Sequence, residues 1–199
     1  MADLILIILA VISVITLTVI VERGWQLRWA KVIPDDVEHA VDKCRAAADV
    51  ANLHKVCETT PSPLSRLLVV AADHLQWPKA DAEDAVQTRA RHEIVRLERG
   101  LIVLEVVVGI APLMGLVGTI YGMMTLFGGL GESGLNDNAA LAKGIAVILN
   151  STLAGLLIAI PSLIAWSYFT KKVEVFAVEM ETLCSEFLRR QYRDKNPIS

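Results

Sequence analysis

The chain has 199 residues, of which 54% are apolar and 21% are charged, and its mean hydropathy is +0.49. This apolar excess is too large for the surface of an ordinary soluble domain, so part of the chain must lie in lipid. The formal net charge is only -3 and the basic residues are spread over several segments. A nucleic-acid-binding protein, which needs a concentrated basic surface, is therefore excluded.

The first apolar segment, residues 4–21, contains no charge and nearly reaches the length that crosses about 30 Å of hydrocarbon. A secretory signal peptide is the competing interpretation. It would require a basic region before the segment and a small-residue cleavage site after it, whereas Asp3 is the only early charge and no such site follows. We therefore predict a retained transmembrane helix.

Two further apolar segments can also span a bilayer. Residues 101–130 are interrupted only by Glu105 and exceed the thickness of the bilayer core. We expect the first turn or more, including Glu105, to lie at the headgroups and to continue the charged helix before it. Residues 144–169 are uncharged and precede the pair Lys171 and Lys172.

The charges beside these segments predict their orientation. Basic residues follow the first span, precede the second and follow the third, whereas the connection at 131–143 contains two acids and no base before Lys143. Because basic flanks remain on the cytoplasmic side, the N-terminus is expected outside and the C-terminus inside.

The predicted fold is an all-α integral membrane protein with three transmembrane helices, whose long helices extend into a helical cytoplasmic domain. In chain order the segments are a first transmembrane helix at 1–23, the cytoplasmic helical domain at 24–100, a second transmembrane helix at 101–130, a periplasmic loop at 131–143, a third transmembrane helix at 144–170 and a cytoplasmic amphipathic helix at 171–199.

Prolines divide the cytoplasmic domain into helices. We expect one helix over 35–58, capped by Asp35 or Asp36, and another over 64–76. A charged helix should open at Asp81 and run without a breaker into the second span. After Lys172 the apolar residues follow a helical period, which fits packing on the helix before the second span and also packing between subunits.

The polar residues show no catalytic or metal-binding pattern. The three cysteines and four histidines lack the ligand spacings of metal sites, and no nucleophile with a base, phosphate loop or carboxylate pair is evident. We predict a protein that is not an enzyme and needs no cofactor. The cysteines are expected to be small apolar side chains in a reducing compartment.

Small residues recur along one side of the second and third spans. They allow helices to approach closely in lipid, where the hydrophobic effect does not drive association. We predict that the following residues set the helix packing and the shape of any pore: Pro112, Gly115, Gly118 and Gly122 in the second span, and Gly155 and Pro161 in the third.

Polar residues within the spans are the candidates for an ion path. Thr119, Ser151 and Thr152 can either line such a path or bond to carbonyls of their own helix. The Asn150 amide has no such simple partner on its own helix, so it indicates a helix interface or a wet lumen. Glu105 either marks the cytoplasmic exit of the path or pairs with a base such as Arg99 at the interface.

The spans also carry motifs of a known family. IAPLMGLVGTIYGMMTLF at 110–127 resembles the second-helix signature of the MotA/TolQ/ExbB proton channel family, and especially its ExbB and TolQ members. GIAVILNSTLAGLLIAIPSLIAWSYF at 144–169 is similar to the third helix of that family, with its T-x-x-G-L-x-x-A-I-P core. VERGWQLR, after the first span, is similar to E-R-x-x-x-L-R.

This resemblance implies the channel-forming subunit of an ion-driven motor of the bacterial inner membrane. It implies a homopentamer whose second and third helices line a pore around a single-span partner of the ExbD/TolR/MotB kind, with a membrane aspartate that carries the proton. A TonB-like or Pal-like envelope component would receive the work. Thr119 and Thr152 match the two pore-facing threonines of the family and would hydrogen-bond around that aspartate.

One residue departs from the family pattern. ExbB and TolQ carry a glutamate early in the third helix, where this chain has Val147. Ion movement would then depend more on the acid of the partner and on water near Asn150, Thr152 and Thr119. The same departure allows an alternative function, a non-conducting pentameric scaffold that holds a partner helix.

Overall fold

A computed structural model describes residues 2–44, 49–133 and 138–195 of the chain, and every element in these ranges is a helix. The helices are α1 (Ala2–Gln26), α2 (Trp29–Val32), α3 (Asp35–Lys43), α4 (Val50–Thr59), α5 (Pro63–Asp73), α6 (Lys79–Glu98), α7 (Leu101–Ser133) and α8 (Asn138–Lys195). The predicted all-α membrane fold is confirmed. Of the predicted loop at 131–143, residues 131–133 and 138–143 belong to α7 and α8, and residues 134–137 lie outside the described part.

Among the described residues, three helical segments are long and apolar enough to cross a membrane: Leu4–Gln26, Leu101–Gly128 and Gly144–Arg193. Helix α8 has 58 residues, and at 1.5 Å per residue it extends over about 87 Å, far more than a bilayer core requires. The helix therefore continues well beyond its apolar portion.

The chain forms two compact units, and the first consists of residues 1–23 and 100–168. Its core lies where α1 meets α7 and α8, around Ile5, Leu9, Val107, Ala111 and Ala159. Most of the large aliphatic side chains outside this core are exposed. An aliphatic exterior is what a helical unit in lipid requires, because its backbone polar groups are satisfied within the helices.

The second unit consists of residues 24–99 and 169–199. The apolar face predicted after Lys172 is buried here, and Phe176 and Phe187 have no exposed surface. The Phe176 ring packs on Trp29, with centroids 5.3 Å apart, and the Tyr192 hydroxyl donates to the Trp77 carbonyl at 2.7 Å. Residues of α8 after Lys172 therefore contact several other segments of the same chain.

The expected single helix over 35–58 is wrong. Helix α3 ends at Lys43, where Cys44 leaves the helical region with ψ of 90°, and α4 begins at Val50. One straight helix of that length would extend about 36 Å. Two short helices instead pack on each other and bury Val41 and Leu53 in the same unit.

The expected cap of α3 is also wrong. The cap position is Pro34, which has no side-chain hydrogen bond to the helix, and Asp35 and Asp36 lie in the first turn. Their carboxylates still stabilise the helix there, because they face the positive end of its dipole.

The charged helix does not run unbroken into the second span, contrary to expectation. Helix α6 begins at Lys79 and ends at Glu98, and Gly100 adopts φ of +98° before α7 begins. Only glycine occupies this left-handed region without strain. A Cβ added at Gly100 would lie 2.7 Å from Nε of Arg23, so the guanidinium occupies the space that a side chain would need.

Replacing Gly100 with alanine tests this junction. We expect Gly100→Ala to lower the free energy of unfolding by about 1–2 kcal/mol, because alanine is strained at positive φ and would displace Arg23. Gly109→Ala is the matched control, since nothing lies within 4 Å of its added Cβ. The unfolding midpoints of the detergent-solubilised variants, followed by circular dichroism, measure the difference. Equal midpoints would contradict the left-handed junction.

Candidate functional site

The backbones of α7 and α8 touch each other in the membrane unit. A Cβ added at Gly155 would lie 2.5 Å from the carbonyl oxygen of Ala111, and one added at Gly115 would lie 2.8 Å from that of Ser151. Positions that ascend along α7 meet positions that descend along α8, so the helices are antiparallel. Their separation is set by the absence of side chains at these glycines.

The same contact continues along α7. A Cβ at Gly122 would lie 2.6 Å from Cγ1 of Ile148, and one at Gly118 would lie 2.7 Å from Cβ of Ser151. Ser151 is only 4% exposed, so it fills the helix contact rather than facing outward. We call this contact, formed by Ala111, Gly115, Gly118 and Gly122 of α7 and Ile148, Ser151, Thr152 and Gly155 of α8, the α7–α8 seam.

Both candidate threonines bond to one turn of α7. The Thr152 hydroxyl donates across the seam to the Gly115 carbonyl at 3.4 Å, and the Thr119 hydroxyl donates to the Leu116 carbonyl at 2.7 Å. In an α-helix the Gly115 carbonyl also accepts the amide of Thr119. Both threonines are half-buried, and a hydroxyl that donates can still accept. Two hydroxyl groups that can accept further hydrogen bonds therefore lie at the turn 115–119.

Asn150 and Val147 lie one turn apart on α8 and are both exposed. Within the part of the chain that the structure describes, the Asn150 amide has no hydrogen bond. An amide in lipid needs a partner or water, so we expect another helix or a wet space to cover this face. Val147 is 58% exposed, so its aliphatic side chain also faces outward.

The remaining candidate site residues lie apart from the turn 115–119. Glu105 is exposed on α7, and the helical rise separates it from Thr119 by about 21 Å. Pro161 is exposed on α8, about 14 Å along the helix from Thr152. Pro112 is half-buried within α7, next to the seam residue Ala111.

Ala111 is a seam residue that the sequence analysis missed. It is fully buried, and its carbonyl makes the closest approach to Gly155. It lies four residues before Gly115, and this small-residue spacing is a signal that could have identified it.

The cysteines take no part in this site. All three are buried free thiols. Burial raises the pKa of the Cys57 thiol to about 11, although a hydrogen bond with Ser65 lowers it, and burial also raises the pKa of Cys44. These two thiols are therefore protonated and unreactive at neutral pH.

Comparison with known proteins identifies the family. The sequence model of the MotA/TolQ/ExbB proton channel family matches residues 60–182, a range that contains the whole seam. The chain belongs to this family. Named members are transport or channel subunits, which fits a membrane protein that is not an enzyme.

The curated relatives of this family member include both ExbB and TolQ proteins. A putative ExbB-like biopolymer transport protein of Synechocystis is 28% identical over 190 residues, covering 89% of this chain and 74% of the relative. The Tol-Pal system protein TolQ of Pseudomonas aeruginosa is 29% identical, covering 93% and 85%. A putative ExbB homolog of Methanothermobacter thermautotrophicus is 33% identical, but the match spans only 57% of this chain and 40% of that protein.

A side chain at Gly155 should force the seam open. We expect Gly155→Val to lower the free energy of unfolding by about 1–3 kcal/mol, because the Ala111 backbone cannot move aside without shifting α7. Gly128→Val is the matched control on α7, since nothing lies within 4 Å of its added Cβ. Unfolding midpoints in detergent compare the two. If Gly155→Val is no worse than the control, the close contact is wrong.

Proposed function

We propose that this chain is the channel-forming subunit of an ion-driven motor of ExbB/TolQ type, which energises a partner acting across the cell envelope. The observation that carries this proposal is the turn 115–119, to which the hydroxyls of Thr119 and Thr152 both bond, in a member of a proton channel family. The spans offer no acid at this depth, so the titrating group comes from the partner.

The chemistry of the threonines suits such a partner. A buried carboxylate is costly in lipid unless donors stabilise it, and its protonated form needs an acceptor. A threonine hydroxyl supplies either role by rotation. Thr119 and Thr152 would therefore stabilise a membrane aspartate of an ExbD/TolR/MotB-like partner in both protonation states. Asn150 would add a donor and an acceptor from the exposed side of α8.

The exposed face of α8 supports contact with further helices, and the proposed assembly is a homopentamer in which the second and third spans surround the partner. Asn150 needs a cover that lipid does not provide, and a neighbouring subunit or a wet pore supplies one. One ion that crosses 100 mV releases only about 2.3 kcal/mol. Several ions in sequence would then drive each productive movement of the partner and of a TonB-like or Pal-like component beyond it.

The proposed location is the bacterial inner membrane, with the N-terminus periplasmic and the C-terminus cytoplasmic. The basic flanks support this orientation, and aromatic residues at the ends of two spans support their placement in a membrane. Trp25 is 67% exposed at the end of the first span, and Tyr168 is 60% exposed at the end of the third. Such side chains favour the headgroup layer. In this orientation residues 24–100 and 171–199 are the cytoplasmic parts.

Val147 favours a second candidate, a non-conducting scaffold. Its exposed aliphatic side chain replaces the glutamate that ExbB and TolQ carry. A five-fold assembly without an ion path would still hold a partner helix. A scaffold makes no use of the threonine hydroxyls, so variants of Thr119 and Thr152 distinguish the scaffold from the ion-driven motor.

The composition of the complex gives the first test. Native mass spectrometry of the chain, purified in mild detergent from its own host, should show five copies together with a small protein that has one span and an aspartate in it. A complex of another stoichiometry would contradict the homopentamer. A five-fold complex without such a partner would contradict the motor.

The hydroxyls give the second test. We expect Thr119→Val and Thr152→Val to lower voltage-driven ion flux through the reconstituted complex by about tenfold or more, because a hydrogen bond to a charged group is lost. The variants should assemble normally, and Thr119→Ser and Thr152→Ser should restore the flux. Thr18→Val is the control, since this exposed threonine of α1 bonds only to its own helix at Val14. Unchanged activity of the valine variants would favour the scaffold.

A further inference from the structure

Three arginines converge on one buried carboxylate in the second unit. Glu93 of α6 is only 1% exposed, and its carboxylate lies 2.6 Å from Arg66 of α5, 3.1 Å from Arg89 and 3.6 Å from Arg96. We call these four residues the Glu93 cluster. It lies outside the membrane seam, and the proposed ion path makes no use of it.

The Glu93 cluster has an excess of positive charge. Guanidinium groups remain protonated in proteins, so three arginines and one carboxylate leave a charge of +2. The carboxylate is inside, whereas the side chains of Arg66 and Arg89 are 37% exposed and that of Arg96 is 65% exposed. The positive charge is therefore accessible from the surface, while the compensating negative charge is not.

The hydrogen bonds of the cluster are incomplete among the described residues. Nε of Arg66 and Nε of Arg89 are buried without a hydrogen-bond partner, and so is Oε1 of Glu93. Oε1 lies within ion-pair distance of Arg89, but the geometry is not that of a directed hydrogen bond. Buried polar groups are normally satisfied, so this network is incomplete, with two guanidinium donors and one carboxylate oxygen left without partners.

We propose that the Glu93 cluster binds a phosphate-bearing anion. Guanidinium groups form paired hydrogen bonds with phosphate oxygens, and a tetrahedral phosphate presents several oxygens to adjacent arginines. Each arginine uses one end of its guanidinium on Glu93, which holds the three groups in place without neutralising them. Glu93 is thus a positioning residue for an anion site.

The headgroup of an acidic phospholipid and free phosphate both carry phosphate oxygens that can accept from arginines. Arg96 lies five residues before Leu101, where the apolar helix α7 begins. Five residues of chain extend at most about 18 Å, so a lipid headgroup can come within reach. The site does not depend on the proposed ion transport, and its failure would leave that function untouched.

Binding to the full-length protein in neutral detergent tests the site in two arms. Native mass spectrometry measures phosphatidylglycerol against phosphatidylcholine, and calorimetry measures inorganic phosphate at constant ionic strength. We expect the wild type to bind phosphatidylglycerol or inorganic phosphate, and the arm that binds identifies the source. Arg66→Gln and Arg89→Gln should weaken binding by about tenfold, because each removes a charged donor pair.

Two further variants keep the test valid if those proteins fold poorly. Arg96→Gln removes the most exposed arginine of the cluster and should weaken binding by about threefold. Glu93→Gln keeps an oxygen that can accept from the arginines but removes the internal negative charge, so it should tighten binding by about threefold or more. Arg91→Gln is the matched control, since Arg91 is exposed on the same helix and outside the cluster. Binding in neither arm, or an equal loss with Arg91→Gln, would overturn the proposal.

Discussion

The contact between the Ala111 carbonyl and Gly155 is the constraint on which the membrane unit depends. A Cβ added at Gly155 would lie 2.5 Å from that oxygen, so the two backbones are too close to admit a side chain between them. Lipid offers no hydrophobic drive for helix association, so packing at this distance holds α7 on α8. The register that it fixes also buries Ser151 and places Thr152 beside Gly115.

This register gives the proposed mechanism its geometry. Thr152 reaches a carbonyl of α7 only because Gly115 has no side chain, and Thr119 lies one turn further along the same helix. Two hydroxyls that bond to one turn of α7 suit a titrating carboxylate that approaches from outside the subunit. Val147 offers no titrating group on the exposed side of α8, so the proposed mechanism takes its carboxylate from the partner.

The spans and the C-terminal amphipathic helix were predictable, because hydropathy and the 3.6-residue period are local signals. The break at Gly100 was not, since a glycine between charged and apolar helical segments also fits a continuous helix. Helix α3 ends at Lys43 because α3 and α4 pack their apolar faces into one core. The sequence of a single segment does not show which faces meet. Glu93 and Arg66 lie far apart in sequence, so their cluster needed the packing of α5 on α6.

Single cysteines on α7 test the central claim most directly, because the native Cys44, Cys57 and Cys184 are buried and lie outside the apolar part of the spans. The assembled complex would carry Thr119→Cys or Val117→Cys, together with a cysteine one turn from the partner's carboxylate. If the face of α7 that carries Thr119 meets the partner, the disulfide forms faster with Thr119→Cys. Faster cross-linking with Val117→Cys, on the opposite face of the helix, would contradict the account.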